Sequence, residues 1–287
     1  MVNKGDNFNI ITHNLLNEKI VLKNRDFFVF ITKFYPNKRK MQAGEYKFTS
    51  GQSLNDILKS IQDGKIFLRK VTIAEGLSND SIFKIIDKID VLTGVLPPLS
   101  SIGEGTLLPE TYTYKRGDTK QKLIDRMQKA MIDFINTEWE KREAGLPFTT
   151  KQQLLSLASV VEKETGLPNE RGKVASVFVN RLRKGIKLQS DPTVIYGFTF
   201  GNEELKREIR VSDLKREDEY NTYYIKGIPE KPICNPGKNA ILATLHPEKT
   251  DFLFFVATGV GGHNFTKTLE EHNKAVQEYR KIIRGVK

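Results

Sequence analysis

What most constrains the fold is a device the chain uses four times: a glycine, a short polar stretch, then apolar residues at helical spacing. It occurs in "KGDNFNIITHNLL" from residue 4, "SGQSLNDILKSIQ" from 50, "AEGLSNDSIFKII" from 74 and "RGDTKQKLIDRMQKAM" from 116. In the first three, Asp, Asn or Ser stands just before the apolar run, where its side chain can accept from the free N–H groups of a first helical turn. Ile10 and Leu15, Ile57 and Ile61, and Ile82, Ile85 and Ile86 then fall on one face of each helix. β-prone stretches lie between them, "EYKF" at 45–48 and "IFLRKVTI" at 66–73. Capped helices alternating with short strands predict an α+β fold.

The loops "LPPLSSIGEG" (96–105) and "AGLPFTT" (144–150) frame a long helix over about 118–143, with Leu123, Ile124, Met127, Met131, Phe134 and Ile135 on one stripe. Thr150 followed by Gln153 is a capping box, and Gly166 and Pro168 supply a stop, so a helix is expected over 151–165. The next helix carries Val174, Phe178 and Leu182 toward the core and ends at Gly185. Beyond it come polar loops rich in Gly and Pro, the β-prone "DFLFFVAT" (251–258) and a closing helix near 268–284.

The helix over 151–165 ends in two acids, "VVEKETG". At about 100° per residue Glu162 falls inside the apolar arc, between Ala158 and Leu155, while Lys163, Ser156 and Gln152 mark a solvent face. Glu164 lies roughly 200° from Glu162, so the pair cannot serve one site. An inward carboxylate must be paired, neutralised or open to a cleft, because a stranded charge costs several kcal/mol or more. Two readings stay open for Glu162: a salt bridge to Arg171, Arg181 or a lysine, or an acid whose pKa is raised by apolar neighbours.

The loop "KLQSDPTVIYG" gathers Gln189, Ser190, Asp191 and Tyr196, groups able to hydrogen-bond and stack against a sugar, or simply to form an Asp-Pro turn. "YNTYYIKGIPEKPICNPG" (220–237) interleaves tyrosines, asparagines and prolines as carbohydrate grooves do, and as rigid surface loops do. Other chemistries lack their residues. Cys234 is the only cysteine, and the spacings of His246, His263 and His272 match no ligand motif, so no metal or other cofactor is expected. No Gly-x-Ser-x-Gly and no P-loop occurs. The net charge of +11 favours an acidic partner, but the basic residues are scattered apart from "YPNKRK" (35–40) and no nucleic-acid motif accompanies them. No run of about 18 apolar residues is present, nor the apolar core of a signal peptide.

Taken together, "LASVVEKETG", "ERGKVASVFVNRLRKGIKLQSDPTVIYG", "YNTYYIKGIPEKPICNPG", "HPEKTDFLFFVATGVGGHNFTKTLEEHN" and "EGTLLPETY" resemble the YceG-like family of endolytic murein transglycosylases along essentially the whole chain. The resemblance implies a small LysM-like βα module at 1–72, followed by a larger mixed α/β catalytic domain at 73–287 with its cleft helix at about 151–165. It implies a lyase that cuts nascent peptidoglycan strands between N-acetylmuramic acid and N-acetylglucosamine, leaving 1,6-anhydro ends and terminating strand elongation. Glu162 matches the family's catalytic glutamate in the Val-Glu-Lys-Glu-Thr motif, so Glu162→Gln should abolish activity and Glu164→Gln should spare it. Gln189, Ser190, Asp191, Tyr196, Asn221, Tyr223, Asn235 and His263 are the implied substrate-binding residues. The expected partners are glycan strands and peptidoglycan synthases, not nucleic acid. Members carry one N-terminal helix in the cytoplasmic membrane with the catalytic part outside, which makes this chain the expected ectodomain of an anchored protein. The rival readings are a non-catalytic glycan-binding scaffold and a muramidase-type hydrolase that recruits a second acid such as Asp191.

Overall fold

The computed structural model describes residues 1–20, 41–202 and 205–285. The basic cluster at 35–40 lies outside them. The fold is α+β, and the chain divides into two compact units: Met1–Val71 with Val91–Thr93 and Thr113–Thr119, and Thr72–Asp90 with Gly94–Tyr112 and Lys120–Lys287.

The first unit holds α1 (Phe8–Asn17) and α2 (Leu54–Gln62). Their caps form as the sequence predicts, with Asn7 accepting from the Ile10 amide and Ser53 from that of Asp56. Ile11, Leu15, Ile57, Leu58 and Ile61 make its small core with Val2. The stretch "EYKF" is not a strand: Tyr46 instead stacks on Phe48 and its hydroxyl donates to the Gln42 carbonyl at 2.7 Å. Glu45 is held by Arg69 and Arg116, and the Arg69 hydrogen bond lowers its pKa to about 2.

β1 (Arg69–Thr72) and β2 (Thr111–Tyr114) form a two-stranded sheet. The second unit contains α3 (Asn79–Asp87), α4 (Lys120–Trp139), α5 (Lys151–Glu164), α6 (Arg171–Arg183), α7 (Asp191–Thr199), α8 (Val211–Leu214), α9 (Lys238–Leu245) and α10 (Leu269–Gly285). It also holds the antiparallel pair β3 (Phe254–Ala257) and β4 (His263–Thr266), in which Phe255 faces Phe265. Among the described residues no helix is long and apolar enough to cross a membrane.

Helix α5 is the axis of this unit. Both arms of its capping box are made, Gln153 N–H to Thr150 Oγ1 at 3.1 Å and Thr150 N–H to Gln153 Oε1 at 3.2 Å. Every residue from Leu154 to Val161 is buried, against α6, α7 and α9. That overturns the solvent face expected at Ser156, whose hydroxyl donates to the Pro229 carbonyl at 2.6 Å. Ser159 Oγ likewise accepts from the Ile233 amide at 2.9 Å. A helix buried all round pushes polar chemistry to its ends, and both glutamates stand at its C-terminal one.

Candidate active site

The two acids leave α5 toward different neighbours, as the helical wheel requires. Glu162 turns to a closed polar knot, its side chain only 6% exposed. Arg171 Nη2 donates to its Oε1 at 3.4 Å, and the Gly237 amide to Oε2 at 2.9 Å. Glu75 flanks the same guanidinium at 3.9 Å. Burial raises the Glu162 pKa, and the Gly237 hydrogen bond opposes it. This is the salt-bridge alternative, made with Arg171.

Glu164, the last residue of α5, instead faces an open cavity of about 360 Å³. The Ser190 hydroxyl donates to its Oε1 at 2.5 Å. Burial raises its pKa to about 7; the Ser190 hydrogen bond works against that rise and the nearby Asp191 carboxylate adds to it. The same cavity is lined by Gln189, Asp191 and Tyr223, which the sequence had nominated around a different acid. Tyr223 donates its hydroxyl to Asp191 Oδ1 at 2.6 Å. Burial pushes the phenol's pKa up, so it stays a donor.

Two segments fix these groups by zipping together. The Gln189 amide donates to the Thr222 carbonyl at 3.2 Å, the Ser190 amide to Thr222 Oγ1 at 2.9 Å, and Lys187 Nζ to the Tyr223 carbonyl at 2.8 Å. Asp191 opens α7, preceded by Ser190 as the cap residue, with Pro192 in the first turn. Pro192 is well placed there, since its missing N–H would have had no helical partner.

The other nominated residues have different duties. Ser190 is buried, with its hydroxyl on Glu164, its amide on Thr222 Oγ1 and its carbonyl accepting from Thr193. Asn221 is buried, donating to the carbonyls of Asp213, Leu214 and Arg216 while its oxygen accepts from the Tyr223 amide. It holds the loop that carries Tyr223 and presents nothing to a ligand. Tyr196 is buried with its ring edge-on to Tyr220, at a centroid distance of 4.8 Å. Asn235 is wholly buried, accepting from the Leu107 amide at 2.8 Å and donating to Leu77, Asn79 and Glu104. His263 Nδ1 sits 2.7 Å from Glu170 Oε2, outside the cavity. Burial brings the pKa of the Glu104 carboxyl to about 7 in the Asn235 knot, which keeps it a structural acid enclosed by loops.

Three contributors were not expected at this cavity: Phe254, His272 and Arg181, the last named from the sequence only as a possible partner of Glu162. Arg181 lies seven residues after Val174, on the buried stripe of α6, a position that itself signals a buried cation needing partners. Its Nε donates to the Leu253 carbonyl at 2.6 Å and its Nη1 to those of Lys187 and Leu188. Phe254 brings an apolar wall from β3, with the Arg181 guanidinium 5.0 Å from its ring centre. His272, from α10, stacks on the Phe254 ring at a centroid distance of 5.2 Å, with its pKa lowered by burial and by Arg181. No pattern in the local sequence links residues 254 and 272 to the loop at 189.

Comparison with known proteins places the chain in context. The model of the YceG-like family matches residues 1–278. The endolytic murein transglycosylase of Bacillus subtilis is 32% identical over 93% of this chain and 80% of its own length. That of Streptococcus pneumoniae strain D39 is 28% identical over 90% of this chain, which spans only 54% of the pneumococcal protein. The crystal structure of a YceG-like protein from Listeria monocytogenes superposes with a TM-score of 0.58 at 31% identity, covering 95% of this chain and 97% of that one.

Proposed function

The chain belongs to the YceG-like family, and on that footing we propose that it is a peptidoglycan transglycosylase whose acid is Glu164. The relatives' shared activity supports the reaction class. One observation carries the choice of residue: Glu164 is the glutamate of α5 that faces a cavity, with a carboxyl that holds its proton up to about pH 7.

The reaction needs one carboxyl used twice. Glu164 gives its proton to the glycosidic oxygen as the bond from the muramic C1 breaks. The carboxylate so formed takes the proton of the C6 hydroxyl of the same sugar, whose oxygen closes on C1. One C–O bond breaks, another forms, and no water is consumed, so no second carboxylate is required to activate one, unlike the usual glycosidase pair. Tethering the nucleophile to the reacting ring replaces an external one by a high effective concentration. Ser190 steadies the carboxyl, and Gln189 and Asp191 offer polar contacts at the rim.

In this reading the products are 1,6-anhydromuramic ends made within nascent strands, which stops their elongation. The first unit serves as the LysM-like module, and the enzyme works outside the cytoplasmic membrane, anchored by a single helix and beside the synthases that supply its substrate. Mass analysis of digests of uncrosslinked strands tests it. Anhydro ends support it; free reducing ends would make the protein a hydrolase with Asp191 as the second acid, and binding without products would make it a scaffold.

A further inference from the structure

Three non-glycine residues among those described have a left-handed backbone: Lys19, Gln189 and Phe200. Lys19 and Phe200 follow helices, where that conformation is common. Gln189 does not. It stands before the cap of α7 with φ +54°, at the edge of the Glu164 cavity, and such outliers gather where function demands a set geometry.

The bent backbone carries the side chain to Arg181, whose Nη1 donates to Gln189 Oε1 at 3.1 Å. Because a guanidinium has no acceptor, the atom facing it must be the amide oxygen. The orientation of the amide is thereby fixed, and its NH2 group makes no hydrogen bond to any described residue. Arg181 cannot swing away, since the same guanidinium is tied to the carbonyls of Leu253, Lys187 and Leu188. The cavity therefore offers a fixed two-proton donor. Asp191 Oδ2, which accepts from no described residue, adds an acceptor. Leu188, Phe254 and Leu269 supply apolar wall.

We propose that Gln189, positioned by Arg181, donates to the carbonyl of a 2-acetamido group of the glycan, making the enzyme selective for N-acetylated strands. The match is chemical: an acetamido group has one carbonyl to accept, one N–H to donate to Asp191, and a methyl for the apolar wall. A de-N-acetylated sugar brings an ammonium instead, which leaves the Gln189 protons without an acceptor and faces the Arg181 cation.

This rests on the reading of the cavity as the substrate site, and the test separates the two. Peptide-free, uncrosslinked strands, N-acetylated or chemically de-N-acetylated, are bound to the Glu164→Gln protein, in about 0.5 M salt to screen the basic surface. Measuring affinity keeps the acetamido group's part in the chemistry out of the result. Acetylated strands should bind about tenfold more tightly or better. Adding Gln189→Glu keeps an oxygen on Arg181 but offers no donor, and should erase or invert that preference. Arg181→Lys should reduce the ratio of the two affinities; an unchanged ratio, with both strands bound equally more weakly, would mark Arg181 as merely structural and overturn its role. A parent with no preference, or a preference that survives Gln189→Glu, overturns the proposal. Mass analysis of the same samples shows whether the Glu164→Gln protein still cuts, which bears on the catalytic assignment alone.

Discussion

Glu164 and Glu162 are two residues apart on one helix, and their surroundings give them opposite properties. Glu162 is answered by a guanidinium and a backbone amide, whereas Glu164 has one hydroxyl donor and a neighbouring carboxylate. The Glu164 pKa of about 7, against an ordinary 4.5, has a stability cost whose sign is fixed. Between those values the native chain holds a proton that the unfolded chain releases, so stability falls as pH rises through the window and the deficit is complete above about 7. Glu164→Gln should therefore stabilise the protein by on the order of 1–3 kcal/mol near pH 8, with the gap closing below about 4.5, as denaturant melts at the two pH values would measure. For the active enzyme, kcat/KM should be lost with unit slope above about pH 7, as the acid gives up its proton. A flat profile to pH 9 or so would count against Glu164 as proton donor.

Among the elements, the helices before Gly185 were the most legible; α7, α8 and α9 fall where only polar loops were expected. Glycine and side-chain caps announce α1, α2, α3 and α5, and apolar spacing identifies the inner faces of α2 and α3, whereas Ile10 of α1 is exposed and α5 is buried on every side. The site was legible only in part. The loop residues Gln189, Asp191 and Tyr223 stand out by composition, but which acid they surround depends on where the loop folds, and a helical wheel carries no information about partners beyond its own helix. An apolar arc drew attention to Glu162, and Arg171, approaching from α6, turned that position into an ion pair. Asn221 and Asn235 looked like ligand contacts because buried loop clamps use the same amides as sugar sites do. Asn235→Ala should thus lower stability by roughly 2–4 kcal/mol, leaving the Leu107 amide without a partner and taking one of its donors from the Glu104 carboxyl. Where that variant folds, its KM should match the wild type; a rise in KM without loss of stability would restore Asn235 as a substrate contact.

At the scale of the whole molecule, two units with separate cores should unfold in more than one step. Calorimetry near pH 8 should resolve two transitions, and Glu164→Gln should move only the one belonging to the unit built on α5. A single transition that shifts as a whole would mean that the units melt together. The +11 charge belongs to the whole chain and to no single site, so it bears on association with acidic partners. The choice between the two acids of α5 decides the account, and a side-by-side assay of strand cleavage by Glu164→Gln and Glu162→Gln tests it most directly. Glu164→Gln should fold and lose about a hundred- to ten-thousand-fold or more in kcat, while Glu162→Gln, though less stable, should still form anhydro ends within about tenfold of the wild-type rate. An active Glu164→Gln protein beside a folded but inert Glu162→Gln protein would contradict it.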